Sequence, residues 1–344
     1  MAVADELRDR GATVTFMGAR GRVEADLVPG GGYEIDLLDL SGIDRKNPIK
    51  AARAAFQAAA AMPKARRLLA DRGAQVVMGG GGFVAGPAGL AARTKGIPLV
   101  LTEADRHLGL ANRLLARRAE RVCLAFAIDG MDGENVMVTG RPVNREVLSA
   151  DRGEARRRFG IDPDARALLV MGGSLGARTI NFAALEAFAE RDGREFDVIH
   201  VSGRRDFAEL RSRLDEAAFA AGYTLIEYEP DMGDGLAACD LVLGRSGGSI
   251  FELTAVGRPA ILIPYPYATA DHQTANAAWM VEAGAAEVIG DVDLSADLIA
   301  ERVPRLLADG ERITAMSRAS ASLAKPNAAA EIADQVWAAA GGTE

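Results

Sequence analysis

The sequence contains few of the side chains that most often bind metals or cross-link chains. It has two cysteines and three histidines in 344 residues: Cys123, Cys239, His107, His200 and His272. The cysteines lie far apart within apolar, strand-like segments and match neither a disulfide framework nor a metal-binding spacing. The histidines are isolated from one another. These absences favour a protein of a reducing compartment whose chemistry needs no protein-bound metal.

Long apolar runs are also missing. No run approaches the ~18 residues that a membrane-spanning helix needs, and the amino terminus lacks the basic-then-apolar pattern of a signal peptide. The chain of 344 residues, 49% of them hydrophobic, exceeds what one core usually organises and predicts about two domains. Together these properties predict a soluble, cytoplasmic, two-domain enzyme.

Charge is distributed unevenly along the chain. Residues 1–145 carry 21 basic and 16 acidic side chains, a balance of +5, whereas residues 146–344 carry 19 and 32, a balance of −13, which together give the net −8. Solvated helix faces explain such an imbalance in many proteins. A basic amino-terminal half also suits a domain that contacts anionic lipid headgroups, so both interpretations stay open.

Strand-like and helix-length segments alternate along the whole chain, which predicts an α/β protein with doubly wound parallel sheets. The predicted strands are 13–17, 75–78, 99–102, 121–125, 136–139, 167–171, 197–201, 225–228, 241–243, 260–263 and 286–289. The Gly-Arg-Pro at 140–142 and the charged segment 151–158 interrupt the alternation. We therefore predict an amino-terminal domain over 1–145, a carboxy-terminal domain over 146–325, and a last helix within 326–344 that packs back on the first domain.

Three glycine-rich turns link a strand to a helix. They lie at Met78–Gly89, at Val170–Arg178 and at Arg245–Ser249. Such turns let a ligand approach the backbone closely, although the first is equally consistent with a tight connection and the hydroxyl of Ser174 in the second with a helix cap. After the third turn come Glu252, an acceptor suited to sugar hydroxyls, and the polar loop Asp271–Asn276.

The order of these motifs resembles the nucleotide-sugar site of GT-B glycosyltransferases, and in detail the MurG family within glycosyltransferase family 28. The resemblance covers nearly the whole chain and includes Gly109–Ala116, Val138–Val143 and Asp231–Met232. A single glycine-rich turn is a weak signal, but the ordered set is specific. The resemblance implies a GT-B fold, in which two Rossmann-like doubly wound parallel-sheet domains face each other across a cleft.

The resemblance also implies roles for particular residues. Ser174 would bind the donor diphosphate with backbone N–H groups of the Gly247, Gly248, Ser249 and Ile250 turn. Glu252 would hold the ribose hydroxyls, Gln273 the hydroxyls of the sugar ring, and the backbone near Glu229 the uracil. Three further matches, Arg245, Asn112 and Asn181, would lie in or beside the site or support it from behind.

The implied reaction is the inverting transfer of N-acetylglucosamine from UDP-N-acetylglucosamine to the C4 hydroxyl of an undecaprenyl-linked muramyl-pentapeptide, in peptidoglycan synthesis. No cofactor is implied, and no paired-aspartate motif of metal-dependent transferases is present. The implied partners are these two substrates and the inner leaflet of the membrane, with no nucleic acid. The enzyme would then lie peripherally on the cytoplasmic face. Its membrane contact is predicted either at residues 50–67 or at Leu108–Arg118.

The sequence departs from the family at its start. In the family a strand and a Gly-Thr-Gly-Gly-His turn precede a helix that this sequence enters directly, at Met1–Leu7. We therefore expect the first strand, the glycine loop and the family's histidine base to be missing, through a late start or truncation, with activity in question. Glu103 is then the remaining candidate for the general base, and orienting a loop is an equal alternative for it.

Two other functions remain open at this stage. A different GT-B glycosyltransferase with a lipid or small-molecule acceptor would share the carboxy-terminal half, but the matches at Gly86–Ala92 and Gly109–Ala116 disfavour it. A catalytically impaired nucleotide-sugar binder would fit the expected loss of the first glycine loop. A dinucleotide-binding dehydrogenase is disfavoured, because no Gly-x-Gly-x-x-Gly turn is followed at ~20 residues by a ribose-binding acid.

Overall fold

The computed structural model describes residues 1–40, 48–173, 175–230, 232–268 and 271–342, with the backbone alone over 48–55. The chain forms two compact units. Unit 1 comprises Met1–Pro142 and Asn327–Glu344, and unit 2 comprises Val143–Pro326. The carboxy-terminal segment therefore belongs to the same unit as the amino terminus.

Unit 1 alternates helices and strands, all of its paired strands being parallel. Its elements are α1 (Ala2–Asp9), β1 (Thr15–Ala19), α2 (Glu24–Gly30), β2 (Glu34–Leu38), α3 (Pro48–Asp71), β3 (Val77–Gly79), α4 (Gly82–Thr94), β4 (Leu99–Glu103), α5 (Leu110–Leu115), β5 (Arg121–Leu124) and β6 (Val136–Val138). Among the described residues β1 pairs with β2, and the other four strands form a sheet in the order β3-β4-β5-β6.

Unit 2 is built around a six-stranded parallel sheet. Its elements are α6 (Arg145–Ser149), α7 (Arg152–Phe159), β7 (Ala167–Met171), α8 (Arg178–Phe188), β8 (Asp197–Val201), α9 (Phe207–Glu216), β9 (Tyr223–Ile226), α10 (Met232–Ala238), β10 (Leu241–Gly244), α11 (Ile250–Ala255), β11 (Ala260–Leu262), α12 (His272–Glu282), β12 (Ala286–Val288), α13 (Ala296–Ala308) and α14 (Gly310–Ser322). The strand order is β12-β11-β10-β7-β8-β9.

The central strands of unit 2 are apolar along their whole length. All five residues of β7 and all four of β10 are buried. A parallel sheet with helices on both faces buries both sides of each strand, so continuous rather than alternating apolar residues are expected. Helix ends are set by ordinary capping: Asp151 accepts a hydrogen bond from Glu154 N at the start of α7, and Gly160 ends it in the left-handed conformation.

The last helix, α15 (Ala328–Ala339), packs in unit 1. Ile332 and Val336 share an apolar cluster with Val3 and Leu7 of α1 and with Val100 of β4. Polar contacts follow the same path, since Arg10 pairs with Asp334 at 2.7 Å and Arg121 Nε donates to Gln335 Oε1 at 3.0 Å. The helix is therefore part of the core of unit 1.

The predicted strands agree with the observed ones to within two residues at each end, with one omission. Strand β2, Glu34–Leu38, was not predicted. Its first residue is exposed and the next three are only half-buried, because β2 pairs with β1 alone among the described strands. The polar residues of a sparsely covered strand remove the apolar signal on which the prediction depends.

Candidate active site

The sheet of unit 2 has a topological switch point between β7 and β10. From β7 the chain proceeds to β8 and β9 on one side, and the later strands β10, β11 and β12 lie on the other. At such a point the loops that leave the carboxyl ends of the two neighbouring strands diverge, and a crevice opens between them. The two glycine-rich turns of unit 2 follow these two strands, so the sequence brings both to one place.

The turn after β7 is compact and packs against the turn after β8. Gly173 and Gly176 have φ angles of +83° and +75°, and Gly176 N donates to Gly173 O at 2.9 Å. A Cβ on Gly176 would lie 2.0 Å from Ser202 O, and a Cβ on Gly203 would lie 2.4 Å from Gly176 N. Only glycine permits this approach. Ser174, the predicted diphosphate ligand in this turn, lies outside the described residues.

The turn after β10 carries the next set of predicted ligands. Gly247, Gly248 and Ser249 are half-buried, and Ile250 begins α11 with a buried side chain. Ser246 Oγ donates to Gln273 O at 2.8 Å, which joins this turn to the polar loop before α12. The N–H groups that precede α11 are therefore held in a defined orientation, as a phosphate-binding turn requires.

Gln273 lies beside this turn. Its Oε1 accepts a hydrogen bond from Tyr265 N at 3.0 Å, and its Nε2 lies 3.7 Å from the position that a Cβ on Gly247 would occupy. The structure thus places a side-chain amide donor against the turn at Gly247–Ile250. The sequence predicted a contact between this residue and the sugar ring.

Asn276 is a residue that the sequence analysis did not single out as a ligand. It lies one helical turn after Gln273 on α12, is 4% exposed, and its Nδ2 donates to Ser246 O at 3.0 Å. Its Oδ1 is buried and has no hydrogen-bond partner among the described residues. A buried acceptor without a partner costs free energy, which a ligand hydroxyl would recover. The i, i+3 spacing with Gln273 was the available signal, because it places both side chains on one helix face.

Glu252 and Glu229 lie on the two flanks of this region. Glu252 is on α11, three residues after Ser249, and is half-buried. The carboxylate of Glu229, in the loop after β9, has a side-chain exposure of 2% and pairs with Arg158 of α7 at 2.7 Å. Arg158 also pairs with Asp234 at 2.6 Å, and these hydrogen bonds raise the pKa of its guanidinium. The Glu229 side chain therefore anchors the loop whose backbone was predicted to bind uracil.

The Arg245 guanidinium makes several hydrogen bonds within unit 2. It donates to Ile263 O at 3.1 Å, to Asp291 Oδ1 at 2.6 Å and to Thr179 Oγ1 at 3.0 Å. It also lies 5.4 Å from the ring centroid of Tyr265. Arg245 thus joins the carboxyl ends of β10 and β11 to the start of α8, which is the supporting alternative left open for it.

Asn181 is also fully engaged inside unit 2. It is 0% exposed; its Nδ2 donates to Ser202 O at 2.9 Å and to Asp206 Oδ2 at 3.0 Å, and its Oδ1 faces His200 Nε2 at 3.1 Å. His200 Nδ1 lies 2.7 Å from the hydroxyl of Tyr223. Complete burial lowers the pKa of His200 to about 3 and raises the pKa of Tyr223. Asn181 therefore acts from behind the glycine turn.

Unit 1 holds the remaining two predicted residues, and it brings them together. Glu103 ends β4 and is 8% exposed; its Oε2 accepts from Gly109 N at 2.8 Å and from Asn112 Nδ2 at 2.9 Å. Its Oε1 accepts from Ala104 N at 3.1 Å and Asp105 N at 3.3 Å. Both carboxylate oxygens are thus occupied by N–H donors of the loop that follows β4.

Asn112 has the same incomplete hydrogen bonding as Asn276. It is 0% exposed, and its Oδ1 has no partner, although its Nδ2 donates to Thr102 O at 2.9 Å as well as to Glu103. A Cβ on Gly81, in the first glycine-rich turn, would lie 3.7 Å from this Nδ2. The glycine turn after β3 therefore lies against the buried Asn112 amide, at the carboxyl edge of the sheet of unit 1.

Two properties of the described residues concern metal binding and membrane insertion. The portion of the chain that the structure describes contains no cluster of three or more histidine, cysteine or carboxylate side chains able to hold a metal ion. None of its helices combines the length and the apolar character needed to span a bilayer.

The sequence matches two family models. Residues 1–124 match the glycosyltransferase family 28 N-terminal domain, and residues 167–336 match the glycosyltransferase family 28 C-terminal domain. These two segments include each predicted site residue; the first covers β1 to β5 of unit 1, and the second covers all six strands of unit 2 and most of α15.

Curated relatives agree with this match over nearly their full length. The chain is 40% identical over 341 residues to the UDP-N-acetylglucosamine–N-acetylmuramyl-(pentapeptide) pyrophosphoryl-undecaprenol N-acetylglucosamine transferase of Rubrobacter xylanophilus, covering 98% of both chains. It is 39% identical to the transferase of the same name from Methylococcus capsulatus, covering 97% of this chain and 92% of the relative.

Solved structures show the same likeness. The Acinetobacter baumannii MurG crystal structure matches with a TM-score of 0.76 and 27% identity, covering 98% of this chain and 94% of that one. A UDP-GlcNAc 2-epimerase from Neisseria meningitidis, bound to UDP-GlcNAc, shares the fold at 17% identity with a TM-score of 0.66. With both family models matched and these relatives at about two-fifths identity, the chain belongs to glycosyltransferase family 28, as a GT-B enzyme of the MurG family.

Proposed function

We propose that this enzyme transfers N-acetylglucosamine from UDP-N-acetylglucosamine to the C4 hydroxyl of an undecaprenyl-linked muramyl-pentapeptide. The names of its relatives supply these substrates. The observation that carries the proposal is the pair of glycine turns at the switch point between β7 and β10, with two side-chain amides beside the second turn. A diphosphate and a sugar ring are the two parts of a ligand that this combination suits.

We assign the donor to unit 2. The turn at Gly247–Ile250 and the turn containing Ser174 would supply N–H donors to the diphosphate, whose negative charge grows as UDP departs. Preorganised donors stabilise that charge without reorganising during the reaction, which is why the packing of these turns matters. No cofactor enters this scheme.

The other donor contacts follow from position. Glu252 would accept hydrogen bonds from the ribose hydroxyls. The backbone at Glu229, anchored by Arg158, would bind the uracil. Gln273 and Asn276 would hold the hydroxyls of the N-acetylglucosamine ring, the Oδ1 of Asn276 gaining a partner that the described residues do not give it.

We assign the acceptor to unit 1, where the glycine turn after β3 lies against the buried Asn112 amide. Glu103 suits a positioning role there, because its four N–H contacts hold the loop after β4 and orient the Asn112 amide. Its assignment as general base stays a prediction. A Glu103→Gln variant separates the two roles, since loss of a base changes the pH profile of kcat whereas loss of a positioning contact raises KM.

A lipid-linked acceptor requires contact with a membrane surface, and α5 offers a suitable face. Leu114 is 70% exposed beside the exposed Arg113, and Arg117 and Arg118 are exposed directly after the helix. Apolar side chains ringed by basic ones favour the anionic headgroup region. We infer peripheral binding to the inner leaflet through this face. Binding to vesicles of anionic lipid should then fall in a Leu114→Glu variant, and unchanged binding would move the contact elsewhere.

The deciding experiment measures UDP release from UDP-N-acetylglucosamine with a lipid I analogue, together with the mass of the product. Glu252→Gln should raise KM for the donor, while Glu301→Gln, an exposed carboxylate on α13, serves as the matched control. Acceptor-dependent release with a disaccharide product supports the proposal. Release only with a different acceptor would overturn the acceptor assignment, and failure to bind UDP would overturn the donor assignment.

A further inference from the structure

A chain of buried hydrogen bonds runs through unit 2 in a single direction. It begins at the hydroxyl of Tyr223 on β9, passes through His200 on β8 and Asn181 on α8, and ends at Asp206. Tyr223 is 7% exposed, Asp206 is 1% exposed, and the two residues between them are 0% exposed. A buried chain of this length must have a consistent pattern of donors and acceptors, since an unpaired buried group is costly.

The direction of the chain follows from its carboxylate end. Asp206 accepts from Asn181 Nδ2 and from the guanidinium groups of Arg178 and Arg205. Although burial alone would raise the pKa of Asp206, these donors lower it, so the group is charged at neutral pH. The Asn181 amide must therefore turn its NH₂ towards Asp206 and Ser202 O, which leaves Oδ1 facing His200.

This orientation determines the tautomer of His200. Because Oδ1 of Asn181 is an acceptor, His200 must carry its proton on Nε2, and its Nδ1 then accepts from the Tyr223 hydroxyl. The opposite tautomer would point an Nε2 lone pair at Asn181 Oδ1. The amide would have to rotate, and its oxygen would then face Ser202 O and the carboxylate of Asp206.

The chain reaches the donor site through Ser202. Asn181 Nδ2 donates to Ser202 O at 2.9 Å, and this same carbonyl oxygen lies 2.0 Å from where a Cβ on Gly176 would be. A Cβ on the next residue, Gly203, would lie 2.4 Å from Gly176 N. A shift of Ser202 O would therefore displace the glycine turn after β7, which is the proposed diphosphate turn.

We propose that His200 is a positioning residue for the diphosphate of the nucleotide, acting through Asn181 and Ser202 on the glycine turn after β7. The inference rests on the proposed function, which assigns the donor to unit 2, and it adds a group that never touches the ligand. Its effect should be larger on the diphosphate than on the uracil, because Asn181 and Ser202 O lie against the glycine turn itself, whereas they reach the loop at Glu229 only through the bond from Ser202 N to Ile226 O at the end of β9.

Two substitutions of His200 test the direction of the hydrogen bond. A glutamine can place its amide near the position of Nε2 and keep the donor to Asn181, whereas the shorter asparagine loses it. We expect His200→Gln to bind UDP within about threefold of the unaltered enzyme. His200→Asn should bind UDP about tenfold more weakly, the effect expected for one buried hydrogen bond and its reorganisation. Both should bind uridine, which lacks the diphosphate, within twofold.

Affinities for UDP and uridine are measured by titration at a temperature where every variant is folded. Ser320→Ala is the control for a general loss of stability. Ser320 Oγ is buried and donates to Arg258 O at 2.9 Å. Arg258 comes just before β11, which lies on the opposite side of β7 from β8 and β9. The Ser320→Ala variant should leave both affinities unchanged.

Three outcomes would overturn the inference: equal loss of UDP and uridine binding, no loss in His200→Asn, or the same loss in His200→Gln. An unaltered enzyme that binds UDP no better than uridine would instead refute the donor assignment itself. The nitrogen shifts of His200 provide an independent readout, because they must show a neutral ring protonated at Nε2 from pH 8 to pH 5. Protonation at Nδ1 would contradict the argument.

Discussion

The buried histidine predicts a specific dependence of stability on pH. Burial lowers the pKa of His200 to about 3, whereas an unfolded histidine has a pKa of about 6.5. Below pH 6.5 the unfolded state therefore binds a proton that the folded state excludes, so the contribution of His200 to stability is complete above that pH and declines as the pH falls. The decline continues until the pH approaches the folded pKa.

The magnitude follows from the linkage between proton binding and unfolding. Between pH 8 and pH 5 this residue should remove about 2 kcal/mol from the free energy of unfolding, with a limiting slope of about 1.4 kcal/mol per pH unit below that. Urea unfolding of the unaltered protein and of His200→Gln at pH 8, 6 and 5 measures it, since other titrating groups cancel in the difference. If the unfolding free energies of the two proteins change in parallel with pH, the folded state does not hold His200 neutral and the reasoning is refuted.

Three further predictions concern the turns and the amides of unit 2. Gly176→Ala should abolish UDP binding, because its Cβ would overlap Ser202 O. Gly193→Ala, with a φ of +95° and open space around it, should lose only about 1 kcal/mol of unfolding free energy. Equal losses of UDP affinity in the two variants would contradict the packing argument. Gln273→Ala should weaken binding of UDP-N-acetylglucosamine about tenfold and leave UDP affinity unchanged, as competition titrations would show; a matching loss of UDP affinity would move this amide away from the sugar. Asn276→Ala should weaken both ligands, because it also removes the hydrogen bond to Ser246 O directly before the glycine turn. Arg158→Ala should weaken uridine and UDP binding alike, because it removes the guanidinium that pairs with the buried Glu229 carboxylate, and a loss confined to UDP would reassign that loop.

Much of the fold is readable from the sequence because the central strands are buried on both faces. The segments of β7 and β10 are continuous apolar runs followed by glycine turns, and the βα alternation around them predicts parallel sheets. Strand β2 was missed because its polar side chains lie on a sparsely covered edge. Local periodicity carries no information about that kind of pairing.

The candidate site was only partly predictable, for a different reason. The glycine turns and Gln273 follow from motif order, but whether an amide has a free acceptor depends on contacts distant in the chain. Asn181 and Asn276 look alike in sequence, yet His200 satisfies the Oδ1 of the first, while that of the second has no partner. Likewise three of the four N–H contacts of Glu103 come from the backbone of a loop whose path no sequence pattern indicates, and the fourth comes from Asn112 on α5.

The placement of α15 has a consequence for biosynthesis. Because the core of unit 1 combines Val3 and Leu7 with Ile332 and Val336, about three hundred residues of polypeptide separate its two halves. A ribosome therefore synthesises all of unit 2 before it makes the helix that completes the core of unit 1. The amino-terminal segment of unit 1 cannot reach its native packing until α15 is available, so the folding of this unit depends on contacts that are very distant in sequence.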